Sequence, residues 1–178
     1  MAAAVGVVSY NWAGLAIPIN CQPNMEDFMR DKLESALVGV AGEYFVAAEL
    51  SLRGFIASVT LRNTRGIDII ASKSDASGSV SLQIKSNSDG RASWMLTKKS
   101  EGFWSNQHFY VLVALKDVGT RPDYFVVPSK IVSESIINGH SSWLAGKKSD
   151  GSQRKDSSIR KFTDYEGRYL ERWDLLGM

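Results

Sequence analysis

Asp68, Gln83 and Lys85 are the residues whose types and spacing best suit chemistry on a phosphate. They sit in two apolar runs, Gly66-Ile67-Asp68-Ile69-Ile70-Ala71 and Leu82-Gln83-Ile84-Lys85. Strand side chains alternate with period two, so Gln83 and Lys85 share a face. If the two runs form a hairpin, Asp68 near the start of one lies beside the end of the other. A carboxylate, a carboxamide and an ammonium then converge at one end of a sheet. Phosphodiester cleavage uses such a set. A hard cation takes oxygen ligands: Asp68 as anchor, the Gln83 amide oxygen, and the main-chain carbonyl of Ile84. The metal lowers the pKa of a bound water and stabilises charge on the phosphate. Lys85 can orient that water or steady the developing charge. Asp-x14-Gln-x-Lys alone is a weak pattern, because half-exposed strands often carry Gln and Lys on the wet face. A charged Asp inside an apolar strand run, however, needs a partner or a metal.

The elements that must position these residues are legible in the apolar spacing. Asn24 suits an N-cap, with Glu26 and Asp27 favourable in the first turn. From Met25 to Arg53 apolar residues recur at helical spacing: Phe28, Met29, Leu33, Leu37, Val40, Tyr44, Phe45, Ala48 and Leu52. Gly39 and Gly42 predict either two helices or one helix packed closely there. Gly54 suits a C-terminal cap. Strands are predicted at Phe55 to Leu61, Ile67 to Ala71 and Val80 to Lys85, with a turn over Ser72 to Ser79. His108 to Leu115 reads as a buried central strand. Asp123 to Val127 is a strand stopped by Pro128, and Ser129 is expected to cap a short helix carrying Ile131, Val132, Ile136 and Ile137. Tyr165 to Leu176 is expected to dock on the core.

With these motifs in place, the chain resembles the PD-(D/E)XK nuclease superfamily, in a Q-x-K variant. The resembling span runs from about Gly39 to Pro128. Asp68 matches the motif aspartate, Gln83 the variable E/Q position and Lys85 the lysine. Gly42 to Leu50 with Gly54 resembles the helix that carries a glutamate. The resemblance implies a single α/β domain, a mixed central sheet flanked by helices with a restriction-endonuclease-like α-β-β-β-α-β core. It implies a DNA endonuclease using Mg²⁺ or Mn²⁺, with Asp68, Gln83, Lys85 and Glu43 catalytic and Glu43 reaching the metal region. Enzymes of this kind that cut both strands often pair, so a homodimer is among the expectations. Glu49 lies about 240° around the helix from Glu43, so one of the two faces the site, and Glu43 is preferred. Ile67 stands where the family name has proline. Gln83 carries no charge and binds a divalent cation more weakly than a carboxylate. The alternative is therefore a nuclease-fold module that binds DNA or a partner protein without cutting.

Composition agrees with one soluble domain. The chain has 178 residues, 44% apolar and 22% charged, with a net charge of +2. That charge excludes a polybasic binder, so polyanion contact must come from local patches. One patch is Lys98 and Lys99, in a loop-like stretch after Trp94. The other is Gly146 to Lys161, six basic residues against two acidic, a net +4, including Lys147, Lys148, Arg154 and Lys155. Both can equally be solvated loops. Trp94, Trp104 and Trp143 can stack on bases, with packing as the default. His108 and His140 are too few and too far apart for a zinc pair. Cys21 is the single cysteine, so a disulfide framework is excluded and a reducing, cytoplasmic setting is expected. Residues 1–24 are expected to be an arm on a domain spanning 25–178, or an extension ahead of a start at Met25. They lack the basic region of a signal peptide and the unbroken apolar length of a spanning helix, so no membrane partner is expected. No P-loop, G-x-G-x-x-G, G-x-S-x-G or H-E-x-x-H pattern is present.

Overall fold

The structure is a computed structural model in which residues 33–61 and 66–177 are described. The expected arm, the Asn24 cap and the stretch from Met25 to Lys32 lie outside them. The described elements are α1 (Ser35–Leu52), β1 (Phe55–Val59), β2 (Ile69–Lys73), β3 (Ser79–Asn87), β4 (Ser93–Thr97) and a 3-10 turn η1 (Lys98–Glu101). They continue with β5 (His108–Ala114), β6 (Asp123–Pro128), α2 (Ser129–Ala145), β7 (Ile159–Thr163) and a second 3-10 turn η2 (Trp173–Leu176).

Five strands form a mixed sheet in the order β1-β2-β3-β5-β6. β1, β2 and β3 meander antiparallel, β3 and β5 run parallel, and β6 returns antiparallel to β5. The parallel step needs a crossover. Here β4 and η1 supply it, in place of the helix that the expected α-β-β-β-α-β order puts between the third and fourth strands, and β4 pairs with β7 in a separate two-stranded ribbon. The predicted loop from Trp94 to Lys99 is thus a strand and a turn. Trp94 is core, 2% exposed, and its indole N–H donates to the Val113 carbonyl at 3.0 Å. The alternation Trp94/Leu96 inward and Met95/Thr97 outward was readable, but β4 is short and its partner, β7, lies more than sixty residues on.

Each face of the large sheet has its own apolar layer. On one face α1 covers Ile69, Leu82, Ile84 and Val111. On the other the ribbon and α2 cover Tyr110, Leu112, Phe125 and Val127. β5 is buried along its whole length, as a strand covered on both faces must be. Trp173 and Leu176 dock on the α1 face, as expected of the C-terminal stretch.

α1 runs unbroken through Gly39 and Gly42, the closely packed single helix among the two expected forms, and it differs from expectation in starting at Ser35, because Glu34 is extended (φ −56°, ψ 139°), and in the face it buries. Its buried stripe is Val38, Gly42, Val46, Glu49 and Leu50. Leu33, Leu37, Tyr44, Phe45 and Leu52, expected on the core face, are exposed. The cause is close approach. A Cβ at Gly42 would stand 2.9 Å from Ser86 Cβ and closer still to its Oγ. The stripe centred on Gly42, with Val38 and Val46 on either side, therefore meets the sheet, and the stripe of Leu37, Tyr44 and Leu52 turns outward. Gly54, with φ +83°, follows the last turn as expected of a glycine cap. α2 is long rather than short, and Ser129 does not cap it. Its hydroxyl instead donates to the Ser105 carbonyl at 3.0 Å and accepts the Ser105 N–H at 3.1 Å.

Glu49 anchors the far end of α1. It is buried and paired with Arg53, and Arg121 Nε reaches it at 2.7 Å while also bridging to Glu171. The Arg121 hydrogen bond holds the Glu49 carboxyl below its ordinary value of 4.5. The contribution to stability is therefore complete above pH 4.5 and disappears as pH falls through the lower folded-state value. Glu49→Gln is expected to cost about 1–3 kcal/mol at pH 7, with the difference from wild type shrinking below pH 4.5 in urea titrations. Gly42→Ala is expected to cost about 1–3 kcal/mol by overpacking against Ser86. Adding Ser86→Ala should recover part of that loss in thermal melts.

Candidate functional site

Asp68 lies just before β2, with Gly66 two residues ahead. Gly66 has φ +65°, and a Cβ there would stand 2.8 Å from Phe103 Cε1. The chain can turn into β2 at this point because glycine tolerates the left-handed backbone and leaves room for the Phe103 ring. Asp68 is pinned through its backbone, its N–H donating to Leu82 O at 2.8 Å and its carbonyl accepting the Thr60 N–H at 2.9 Å.

The β2–β3 register ends at Ile69↔Leu82, while β3 continues to Asn87. The Ile84 N–H then donates to Asp68 Oδ2 at 2.7 Å. A side-chain carboxylate continues the ladder where the neighbouring strand has stopped. β3 alternates with period two. Leu82 and Ile84 are buried on the α1 face, so Gln83 and Lys85 lie on the opposite face. Asp68 has the same parity as Ile70, which is exposed while Ile69 and Ala71 join the α1-side core. The predicted trio therefore converges on one face, at the end of β3. All three are half-buried. Among the described residues the side chains of Gln83 and Lys85 have no hydrogen-bond or ion-pair partner.

Glu43 follows Gly42, the residue in contact with Ser86 and Ile84, so it stands level with the open edge of β3, on the α1 side. Glu49 is committed to Arg53 and Arg121 at the far end of the helix. Among the described residues no three His, Cys, Asp or Glu side chains cluster to hold a metal ion. The donor set at the trio is one carboxylate, one amide oxygen and the Ile84 main chain. That set is hard and oxygen-only. It fits a cation that is held by one or two carboxylates and keeps several waters, as Mg²⁺ does.

Two neighbours escaped the sequence reading. The parallel register pairs Ser81 with His108 and Gln83 with Tyr110, so both rings share the trio's face. His108 Nδ1 and Ser81 Oγ are hydrogen-bonded at 2.9 Å, and Phe103 stands edge-on to the imidazole with ring centres 4.9 Å apart. Burial lowers the His108 pKa, so the ring is neutral near pH 7. Its Nε2 is buried without a partner among the described residues. The Tyr110 hydroxyl is also buried, and the Ser100 hydroxyl approaches it without closing a hydrogen bond. Parity alone could not place these rings, because it does not say which strand lies beside β3.

The basic residues divide. Lys98 pairs with Asp156 at 2.9 Å. The Arg154 guanidinium stacks over Trp143, 5.1 Å from the ring centre, and donates to the Trp143 carbonyl at 2.7 Å. Lys99, Lys147, Lys148 and Lys155 are exposed. His140 lies on α2 with Nε2 2.8 Å from Asp156.

A helix packed on an antiparallel triplet, a parallel step to the fourth strand, and an Asp–Gln–Lys set at the end of the third strand decide the architecture. The fold is restriction-endonuclease-like. No family model matches the sequence, and no curated protein matches it. Among the solved structures similar in backbone are two nucleases. One is Hjc, a Holliday junction resolvase from the archaeal hyperthermophile Archaeoglobus fulgidus, 13% identical over 78% of this chain and 95% of that one, with a TM-score of 0.44. The other is the bacterial homing endonuclease I-Ssp6803I, 14% identical over 82% of this chain and 94% of that one, with a TM-score of 0.48. Overlap at this level carries no functional argument, so function rests on the residues themselves.

Removing the Asp68 carboxylate strands the Ile84 N–H at a half-buried strand edge. Asp68→Ala is expected to lower stability by about 1–2 kcal/mol, while Lys85→Ala stays within about 0.5 kcal/mol of wild type. Urea midpoints of the two variants check this difference.

Proposed function

We propose that the chain is a metal-dependent endonuclease that hydrolyses phosphodiester bonds in DNA. One observation carries this reading: the Asp68 carboxylate, held by the Ile84 N–H, shares a sheet face with Gln83 and Lys85, whose polar ends have no partner among the described residues. Both polar ends reach solvent and are open to a phosphate and a hydrated cation.

Asp68 would hold Mg²⁺ or Mn²⁺ through the oxygen not used by Ile84, together with the Gln83 amide oxygen and the Ile84 carbonyl. Glu43 would add a second carboxylate from α1. When bound, such a cation lowers the pKa of a ligated water and offsets charge on the phosphate. Lys85 orients the attacking water or steadies the charge that develops on the phosphate oxygens. The Ile84 N–H keeps the Asp68 carboxylate in one rotamer, which favours a fixed site. Lys99, Lys147, Lys148 and Lys155, with Lys98 and Arg154 behind them, supply sequence-independent contacts to the DNA backbone.

The second reading is a nuclease-fold module that binds DNA or a partner protein without cutting. It is favoured by the small number of carboxylates, since no cluster of three metal-binding side chains is present among the described residues. Plasmid incubated with the protein and Mn²⁺ separates the two. Wild type is expected to nick, with Asp68→Ala and Lys85→Ala each slower by about a hundredfold or more. No nicking by wild type would leave the binding module. Equal nicking by all three proteins would mean a contaminant and sink the assignment.

A further inference from the structure

A furrow leads away from Lys85 across the outer face of the β4–β7 ribbon. It consists of two adjoining clefts of 340 and 480 Å³. Lys85, Arg91 and Tyr165 belong to the first, and Trp143 and Ile159 to the second. Met95 and Lys161 belong to both. These two are direct register partners across the ribbon, so the clefts share one floor. That floor exists because Trp94, Leu96 and Phe162 point inward to the core, which leaves Met95 and Lys161 facing out.

We infer that this furrow binds one strand of nucleic acid, leading it from the candidate site at Lys85 over Lys161 towards Trp143. The inference rests on the proposed nuclease reading only for the direction of the strand. Three observations support it. Lys85 and Lys161 have no carboxylate partner among the described residues, and Asp89, the acidic residue lining the furrow, is already neutralised by Arg91 at 2.5 Å. The floor is thus electropositive, as a phosphate backbone requires. An aromatic ring stands open along it, Tyr165 in the first cleft, 69% exposed, while Trp143 in the second is stacked with His140, ring centres 5.5 Å apart, and lies beneath the Arg154 guanidinium. Exposed rings of this kind stack on unpaired bases without sequence preference. The ribbon pairs over five residues, Ser93–Thr97 against Ile159–Thr163, and its two strands lie about 4.8 Å apart. So narrow a floor with single cations, on a chain of net charge +2, suits one strand. A duplex has its bases stacked away from such rings.

The test is fluorescence anisotropy with a labelled oligothymidylate of about 12 nucleotides, within the ~4–16 nucleotide footprints of single-strand binders, in EDTA so that nothing is cut. Lys161→Glu and Tyr165→Ala are each expected to weaken binding by about tenfold. Lys161→Ala should also reduce the slope of log affinity against log salt by about 0.7. Lys116→Glu, the same charge reversal at the turn between β5 and β6, should leave affinity within about twofold of wild type. Equal losses in all variants, or none in Lys161→Glu and Tyr165→Ala, would overturn the furrow. So would tighter binding of a duplex of equal length with the same sensitivities. Nicking by wild type and Asp68→Ala is scored separately. A protein that binds through the furrow and never nicks loses the catalytic reading and keeps this one. A protein that nicks through Asp68 but binds indifferently to Lys161 and Tyr165 does the reverse.

Discussion

Where β2 stops, β3 goes on, and the Ile84 N–H would face an open strand edge. The Asp68 carboxylate accepts it at 2.7 Å, and the geometry of the site depends on that bond. Asp68 is placed from both ends, by the Gly66 turn under Phe103 and by backbone bonds to Leu82 and Thr60. The main chain at Asp68 is therefore fixed, Oδ2 is held by the Ile84 N–H, and the other oxygen is left for other work. The same stretch of open edge brings α1 within reach at Gly42. A helix on one face and a carboxylate on the other meet at the end of a single strand.

The sheet serves two different purposes on its two faces. The α1 face is plain packing: Val38, Val46 and Leu50 against Ile69, Leu82 and Ile84, each buried side chain contributing about 1.5–3 kcal/mol. The opposite face changes character along its length. Beneath α2 and the ribbon it is apolar, with Leu112, Phe125 and Val127. Towards the end of β3 it becomes polar and half-open, with Asp68, Gln83 and Lys85 beside the neutral His108 and the buried Tyr110 hydroxyl. The crossover that makes β5 parallel to β3 is also the source of the ribbon. One topological necessity thus supplies both the cover for the core and the floor of the furrow beside Lys85.

Much of this was legible in the order of residues. The Asp68/Gln83/Lys85 trio, the hairpin turn, the buried β5 and the glycine cap at Gly54 all follow from periods of two, turn residues and backbone limits, which act over a few residues. Helix rotation allowed one of Glu43 and Glu49 to face the site and the resemblance favoured Glu43, while the structure places Glu49 in an ion-pair network with Arg53 and Arg121 at the far end of α1. The helix face was misread for a physical reason. Bulky apolar residues usually mark the core stripe, but here the close approach at Gly42 turns the Val38, Gly42, Val46 and Leu50 stripe to the sheet, so Leu37, Tyr44 and Leu52 face outward.

By itself, then, the sequence determined which residues could share a strand face and what chemistry their donors suit, because alternation and donor type are local properties. Only the tertiary structure decided which elements stand next to them. It put β5 beside β3 and so His108 and Tyr110 beside Gln83. It joined β4 to β7 and so Met95 to Lys161. It ended β2 early and so gave the Ile84 N–H to Asp68. Each of these is a pairing between distant segments, set by which apolar surfaces fit together, and no spacing along the chain encodes it.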